Sequence, residues 1–295
     1  MKKVIKPKVI VILGQTATGK SDLAVKIAKK VAGEVISADS RQVYRGLNLG
    51  TGKITKKEMQ DIPHFLLDVA SAKNKFTVVQ YKKLADKKIK EIISRGKIPI
   101  ICGGTGFYID SVVKGIIFPE VPPNNKLRKI LEKKTADQLF QILKKLDKVR
   151  AKNIDSKNKV RLIRAVEIAK TLGKVPKISV LKPEYDFVKI GLYLSSEILK
   201  KKIEKRLLVR IKLGMLKEIK NLHKNGLSWK RMEELGLEYR YLAFYLQNKI
   251  TKEEMLKKLN SEIYKYAKRQ MTYFKRDKEI KWFDASKKYS YKKSP

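Results

Sequence analysis

The residue types best suited to chemistry lie in one short run, Gly14-Gln15-Thr16-Ala17-Thr18-Gly19-Lys20-Ser21. Its spacing is G-x-x-x-x-G-K-[ST], in which two glycines let the backbone curl until successive N–H groups point inward. Lys20 adds a cation that can reach a terminal phosphate, and the Ser21 hydroxyl can ligate Mg²⁺. The run should therefore hold a phosphorylated ligand at the positive end of a helix. Asp39 is a second candidate, followed at once by Ser40, Arg41 and Gln42, whose donors and acceptors suit the edge of a base. An aspartate in an Asp-Ser pair also serves commonly as a turn or cap residue. Thr105, inside Gly103-Gly104-Thr105-Gly106, could bond a ligand or merely cap the helix that starts near Phe107.

The surrounding pattern supplies elements to position these groups. Val9 to Leu13 reads as a buried strand, and Leu23, Ile27 and Val31 give the next segment helical spacing. Short strands are expected at Val35–Ser37, Ile62–Asp68 and Lys97–Cys102, with an amphipathic helix over 76–95. Side chains just past the carboxyl ends of parallel strands face the ligand crevice, which puts Asp39 on the same side as the phosphate loop. From Phe118 the pattern changes. Pro119, Pro122 and Pro123 break the chain, and residues 126–172 read as a basic helical insertion in which Arg161 and Arg164 oppose the apolar line Leu162, Ala165, Val166 and Ala169.

A strand returns near Phe187, followed by a helix from Glu197 to Asn221 that carries Lys202, Arg206 and Arg210 as a basic stripe. The last helix, 251–277, interleaves Lys265, Arg269 and Arg276 with Tyr264, Tyr266, Tyr273 and Phe274, a mixture suited to RNA. The expected fold is α/β: a P-loop-type parallel sheet flanked by helices, with an inserted small helical domain. Its expected bounds are 1–118 and 185–284 for the core, 119–184 for the insertion and 285–295 for a disordered basic tail.

Composition narrows the classes of function. With 295 residues and 43% hydrophobic content, the chain can bury a proper core. A formal net charge of +41 calls for a polyanionic partner, although a general abundance of lysine accounts for part of it. One cysteine, Cys102, excludes a disulfide framework and a cysteine zinc site, and His64 and His223 do not form an evident metal cluster. His64 is read as a packed structural histidine and Cys102 as a small core residue. No apolar run approaches the ~18 residues of a membrane span, and the apolar stretch near the N-terminus is too short for a signal peptide, so a cytoplasmic protein without membrane contact is expected.

Six segments in order resemble one family, the tRNA dimethylallyltransferases, also called tRNA isopentenyltransferases. They are GQTATGKS, ISADSRQVY, PHFLLD, GGTGFYIDSVVKG, RLIRAVEI and YAKRQMTYFKR. The resemblance implies a core that binds dimethylallyl diphosphate with Mg²⁺ and transfers the five-carbon group to N6 of adenosine 37. The tRNAs would be those reading codons that begin with U, held by the anticodon stem-loop, with the enzyme acting as a monomer. It further implies that Lys20, the loop residues Gly14 to Ser21 and Arg206 hold the diphosphate, with Ser21 as metal ligand. Asp39 matches the general base, and Ser40, Arg41 and Gln42 match the residues that read the flipped base. Thr105 matches a tRNA-contacting and catalytic position, and Arg128, the stretch Val160, Arg161, Leu162, Ile163 and Arg164, and Arg269 with Gln270 match tRNA-binding positions. Departures are Lys202 and Arg210, where many members carry Arg and Met, and Gly-Leu-Glu-Tyr-Arg (236–240), where a shorter motif is common. The alternatives are an adenylate isopentenyltransferase acting on free AMP or ATP, and a P-loop nucleic-acid kinase or NTPase.

Overall fold

The computed structural model describes residues 6–182 and 184–287. The chain divides into two compact units, Met1–Gly115 with Lys182–Pro295, and Ile116–Leu181. In the first unit β1 (Lys8–Gly14), β2 (Gly33–Ser37), β3 (His64–Phe65) and β4 (Ile98–Cys102) alternate with α1 (Lys20–Val31), the short α2 (Lys56–Met59), α3 (Val78–Ser94) and α4 (Gly106–Val113). The second unit runs from β5 (Ile116–Ile117) through α5 (Asn125–Glu132), α6 (Ala136–Leu146), α7 (Lys148–Lys152) and α8 (Lys159–Leu172) to β6 (Ser179–Val180). The chain then re-enters the first unit as β7 (Asp186–Tyr193), α9 (Ser196–Lys212), α10 (Met215–Lys224), α11 (Trp229–Leu235), α12 (Leu237–Leu246), α13 (Lys252–Phe274) and β8 (Lys281–Asp284).

The main sheet has the order β3-β2-β4-β1-β7-β8 and every pairing in it is parallel. Such a sheet is buried on both faces, which accounts for the nearly unbroken apolar run of β1. Val9, Val11 and Leu13 join one core, and Ile12 joins a second with Leu23, Ala24 and Ala28 of α1. The register decides what meets at the upper edge. Ile12 lies beside Cys102, and Ser37 lies beside the same residue. Two residues beyond that row come Gly14, Asp39 and Gly104, so the phosphate loop, the aspartate and the second glycine loop share one edge. β1 is also where the order reverses, since later strands lie on both sides of it, and such switch points open ligand crevices.

Helix starts follow local chemistry. Thr77, Thr135 and Thr251 each accept from the N–H three residues on, while Gln80, Gln138 and Glu254 reach back. Three expectations need correction. The strand anticipated over Ile62–Asp68 shrinks to His64–Phe65, because Leu66 and Asp68 take left-handed φ of 62° and 57° that no strand can continue through. The helix expected over Glu197–Asn221 is two helices, separated at Gly214 with φ 99°. The tail expected to be disordered from 285 is ordered at its start, where it continues from β8, paired with β7: Ala285 N–H donates to Tyr193 O at 2.8 Å. Residues 288–295 of the anticipated tail lie outside the described residues. Among those described, no helix is long and apolar enough to cross a membrane.

In the second unit, Leu131, Leu139, Leu143, Leu162 and Val166 close a separate small core. This corrects the reading of Leu162 and Ile163 as RNA-contacting: they are 0% and 8% exposed and face that core, while Val160 at 78% stays outside. Leu162→Ala should therefore cost about 2–5 kcal/mol through cavity formation. Hydrogen exchange should show protection lost across residues 116–181 and unchanged in the phosphate-loop strands.

Candidate active site

A cavity of about 440 Å³ opens above the ends of β1, β2 and β4, and Thr16, Ala17, Gly19, Lys20 and Ser21 form its floor. Asp39 and Gln42 line one wall, and Thr51, Gly52 and Ile54 continue it. Lys202, Lys205 and Arg206 of α9 and Tyr266 and Gln270 of α13 complete it. Gly14, Gln15 and Thr18 shape the loop from behind. Thr18 Oγ1 and Lys20 Nζ donate to Gln15 O at 2.8 and 2.6 Å, and Gln15 Oε1 accepts from Leu194 N–H at 3.3 Å. These bonds tie the loop into a curl around the Gln15 carbonyl.

Charge in the cavity is cationic and poorly hydrated. Desolvation pulls the Lys20 ammonium down from 10.5 to about 8, with the Arg206 cation pushing the same way and Asp39 opposing. Burial likewise lowers Arg206, and the neighbouring Arg210 adds to the effect. Cys102, at the end of β4, is pushed up to about 12 by burial and stays a neutral thiol. Asp39 Oδ1 accepts from the N–H groups of Arg41 and Gln42 at 2.8 and 3.3 Å, so the turn reading of this residue is realised by one oxygen. The second oxygen is left for the cavity. Thr105 makes no side-chain cap for α4; its Oγ1 instead accepts from Ser40 N–H at 3.0 Å and donates to Ser40 Oγ at 3.3 Å. Thr105 thus latches the Asp39–Ser40 turn to the second glycine loop.

Four candidates, Gln270, Arg128, Arg164 and Arg210, make internal bonds. Gln270 is 6% exposed, and its amide is bonded to Thr16 N–H at 2.7 Å and Gly104 O at 2.9 Å, so the expected RNA contact gives way to an internal one. In the second unit, Arg128 and Arg164 both pair with Glu167, buried at 1% side-chain exposure, and Arg164 also donates to Val121 O. Arg164 is therefore not the exposed partner of Arg161 that the helical spacing suggests. Arg161 is exposed, as is Arg269, whose guanidinium lies over the Tyr266 ring at 5.9 Å. Arg210 leaves the expected stripe as well: it pairs with Glu238 at 3.2 Å and donates to Leu49 O and Gly50 O. His64 is packed, its Nδ1 2.8 Å from Ile62 O, and burial lowers its pKa.

Sequence reasoning missed Lys205 and the device that builds the Thr51–Ile54 wall, and it read Tyr266 as an RNA-suited aromatic where the structure puts it on the cavity. Glu218 of α10 accepts from the N–H groups of Asn48, Leu49 and Gly50 and from Tyr239 OH, at 2.7–3.2 Å. Its oxygens and Arg210 grip the loop from both ends of its dipoles, and Gln42 Nε2 reaches Gly52 O at 3.4 Å. The only local signal is the glycine-rich string from Gly46 to Gly52.

The arrangement can bind a short phosphate chain beside a carboxylate. Fold and site together define an α/β protein built on a phosphate-binding loop. The IPP transferase family profile matches residues 42–277. tRNA dimethylallyltransferase 2 of Treponema denticola is 43% identical over 272 residues, covering 90% of this chain and 91% of that one. The tRNA dimethylallyltransferase of Caldanaerobacter subterraneus is 40% identical, covering 94% and 91%. Among solved structures, the full-length tRNA isopentenylpyrophosphate transferase of Bacillus halodurans superposes with a TM-score of 0.73 at 33% identity, over 96% of this chain and 92% of that one. A eukaryotic dimethylallyltransferase acting on tRNA gives 0.79 at 27% identity, over 95% and 74%. The chain belongs to the IPP transferase family and is an enzyme of prenyl transfer.

A pH dependence follows from Lys20. In the free protein its proton leaves near pH 8; a bound diphosphate would raise that pKa, so binding above pH 8 takes up a proton. Affinity for inorganic diphosphate should then fall as pH rises past 8, by up to about tenfold per unit. Calorimetry in buffers of different ionisation enthalpy should show the extra proton uptake in the wild type and not in Lys20→Met.

Proposed function

We propose that the enzyme transfers a dimethylallyl group from dimethylallyl diphosphate to N6 of adenosine 37 in tRNAs that read codons beginning with U. The observation that carries this reading is the placement of Lys20, Arg206 and Asp39 on one cavity at the carboxyl ends of the strands. The named relatives act on tRNA, which favours that acceptor over free AMP or ATP. The family match likewise favours prenyl transfer over the nucleic-acid kinase or NTPase alternative.

In this mechanism the loop amides, Lys20 and Arg206 hold the diphosphate. The adenine N6 lone pair attacks C1 of the allyl group as the C1–O bond breaks, and the bonding pair leaves with diphosphate. Preplaced donors and cations stabilise the charge that grows on the leaving oxygen. Asp39 takes the N6 proton as the C–N bond forms. Ser40, Arg41 and Gln42 read the base, which must leave its loop stack to arrive there. Thr105 supports the reaction by fixing the turn that carries Asp39.

Mg²⁺ suits this donor set. The Ser21 hydroxyl lies on the cavity with Asp22 and Glu58, while no cluster of three metal-holding side chains occurs among the described residues. That is the setting for an ion bound by one or two protein oxygens together with phosphate oxygens and water. When bound, it would neutralise part of the leaving-group charge. Arg128, Val160, Arg161 and Arg269 are the positions assigned to the anticodon stem-loop, and the enzyme works as a monomer in the cytoplasm.

Mass analysis of nucleosides from tRNA incubated with the protein, Mg²⁺ and dimethylallyl diphosphate should show N6-dimethylallyladenosine. Asp39→Ala should keep anticodon stem-loop affinity and lose about 10²–10⁴ in turnover. Normal turnover in that variant would remove Asp39 from the base role, and no prenylated adenosine with the wild type would end the reading.

A further inference from the structure

Arg206 and Arg210 stand one turn apart on α9, so their side chains are neighbours. Both guanidinium groups lie against Gly52, where a Cβ would come within 3.0 Å of Arg206 Nη2 and 3.6 Å of Arg210 Cζ and Nη1. Two adjacent cations have one carboxylate between them. Glu238, in the first turn of α12, accepts from Arg210 Nη1 at 3.2 Å, and the two side chains are 12% and 13% exposed for Arg210 and Glu238. The same Nη1 donates to Leu49 O at 3.2 Å and to Gly50 O at 3.1 Å. Glu218 takes up the N–H groups of that loop, so its carbonyls stay in place to receive Arg210. Arg206 lines the cavity instead.

A buried carboxylate is costly unless a cation answers it. Burial pushes the Glu238 carboxyl up, and Arg210 and Arg206 both act to bring it back down. Among the carboxylates that act on Arg206, Glu238 comes ahead of Asp22 and Glu58. Glu238 therefore has two cations to choose from, and only one of them faces the cavity. Pairing with Arg206 would cancel the charge that the cavity offers an anion. We propose that Arg210 is a positioning residue: by occupying Glu238 while anchored to the Leu49 and Gly50 carbonyls, it keeps Arg206 unpaired and turned to the cavity. The three oxygens around Arg210 Nη1 set the choice, because carbonyls favour a donor at that point. Arg210 thus acts on the anion site through Arg206, without touching the anion itself.

The inference rests on the reading of Arg206 as a diphosphate ligand, and the test separates the two. Affinity for inorganic diphosphate is measured by calorimetry on the full-length wild type, Arg210→Met, Glu238→Gln, the double variant and Arg210→Lys. Crystal structures of the wild type and Arg210→Met are compared alongside. Arg210→Met should bind diphosphate about tenfold or more weakly, the worth of one hydrogen bond to a charged group. Glu238→Gln should bind no more weakly than the wild type. Added to Arg210→Met, it should restore affinity to within about threefold, since no carboxylate is left to capture Arg206. Arg210→Lys keeps a cation beside Glu238 and should stay near the wild type. In the Arg210→Met crystal, Arg206 and Glu238 should lie within about 4 Å of each other. If Arg210→Met does not fold, Arg210→Gln, which can still donate to the two carbonyls, is read the same way. Unchanged affinity in Arg210→Met, a double variant as weak as the single one, or an Arg206 still unpaired in that crystal would reduce Arg210 to a brace for the loop and overturn the inference. A wild type that does not bind diphosphate would overturn the diphosphate reading, while the Arg206–Glu238 distance would still decide the pairing.

Discussion

The structure depends on holding two cations in one cavity without neutralising them. Neither Lys20 nor Arg206 makes a salt bridge among the described residues, and burial lowers the proton affinity of both, with Arg206 adding to the effect on Lys20 and Arg210 to that on Arg206. For Lys20 the displacement from 10.5 to about 8 corresponds to about 3 kcal/mol of protonation free energy. The fold bears that penalty before any anion arrives. In the proposed mechanism an incoming diphosphate would meet donors that need no reorganisation, which is where electrostatic stabilisation of a leaving group is most effective. The surrounding side chains preserve the imbalance: Arg210, a neighbour of Arg206, is tied to Glu238, while Cys102 beneath the loop stays an uncharged thiol.

Maintaining that cavity is mainly a matter of bringing loops from distant parts of the chain to one edge. The register of β1, β2 and β4 does the first part, and α13 does the second. Gln270 bonds both glycine loops, and Tyr273, three residues further along the helix, lies against Gly106, where a Cβ would come within 2.3 Å of the ring. Tyr273 OH also donates to Asp110 at 2.7 Å. Gly104 and Gly106 are small because side chains of α13 occupy the space where their own would be. The opposite wall depends on a carboxylate in the same way: Glu218 gathers three consecutive N–H groups, so that Gly52 comes to rest beside Arg206.

Much of this was legible in the sequence, and the part that was not has a common physical cause. The phosphate loop, the strands on either side of it and the helical insertion rest on local signals: glycine spacing, apolar runs and proline breaks. The position of Asp39 past a strand end follows from sheet geometry once β2 is recognised. What failed was long-range or conditional. Gln270 reads as polar and RNA-facing because its partners are 254 and 166 residues away. Arg164 sits at a helical spacing that suggests exposure, yet Glu167 one turn later draws it inward. The two helices at Gly214 look continuous because the apolar period survives the break. β8 is only four residues long, and pairing with β7 makes it a strand rather than any pattern of its own.

The net charge of +41 becomes informative only when its location is considered. Arg128 and Arg164 share one buried carboxylate, so two of the arginines in the insertion contribute one net charge between them. By contrast, Lys265, Lys268 and Arg269 of α13 are exposed. The same helix turns Ile263, Ala267, Gln270 and Phe274 inward. Arg269 rests over the Tyr266 ring, and Tyr266 lines the cavity. One helix therefore carries a basic outer face and an inner face that fixes the phosphate loop, with an aromatic ring joining them. A polyanion bound outside would press on the same element that holds the donor site in shape.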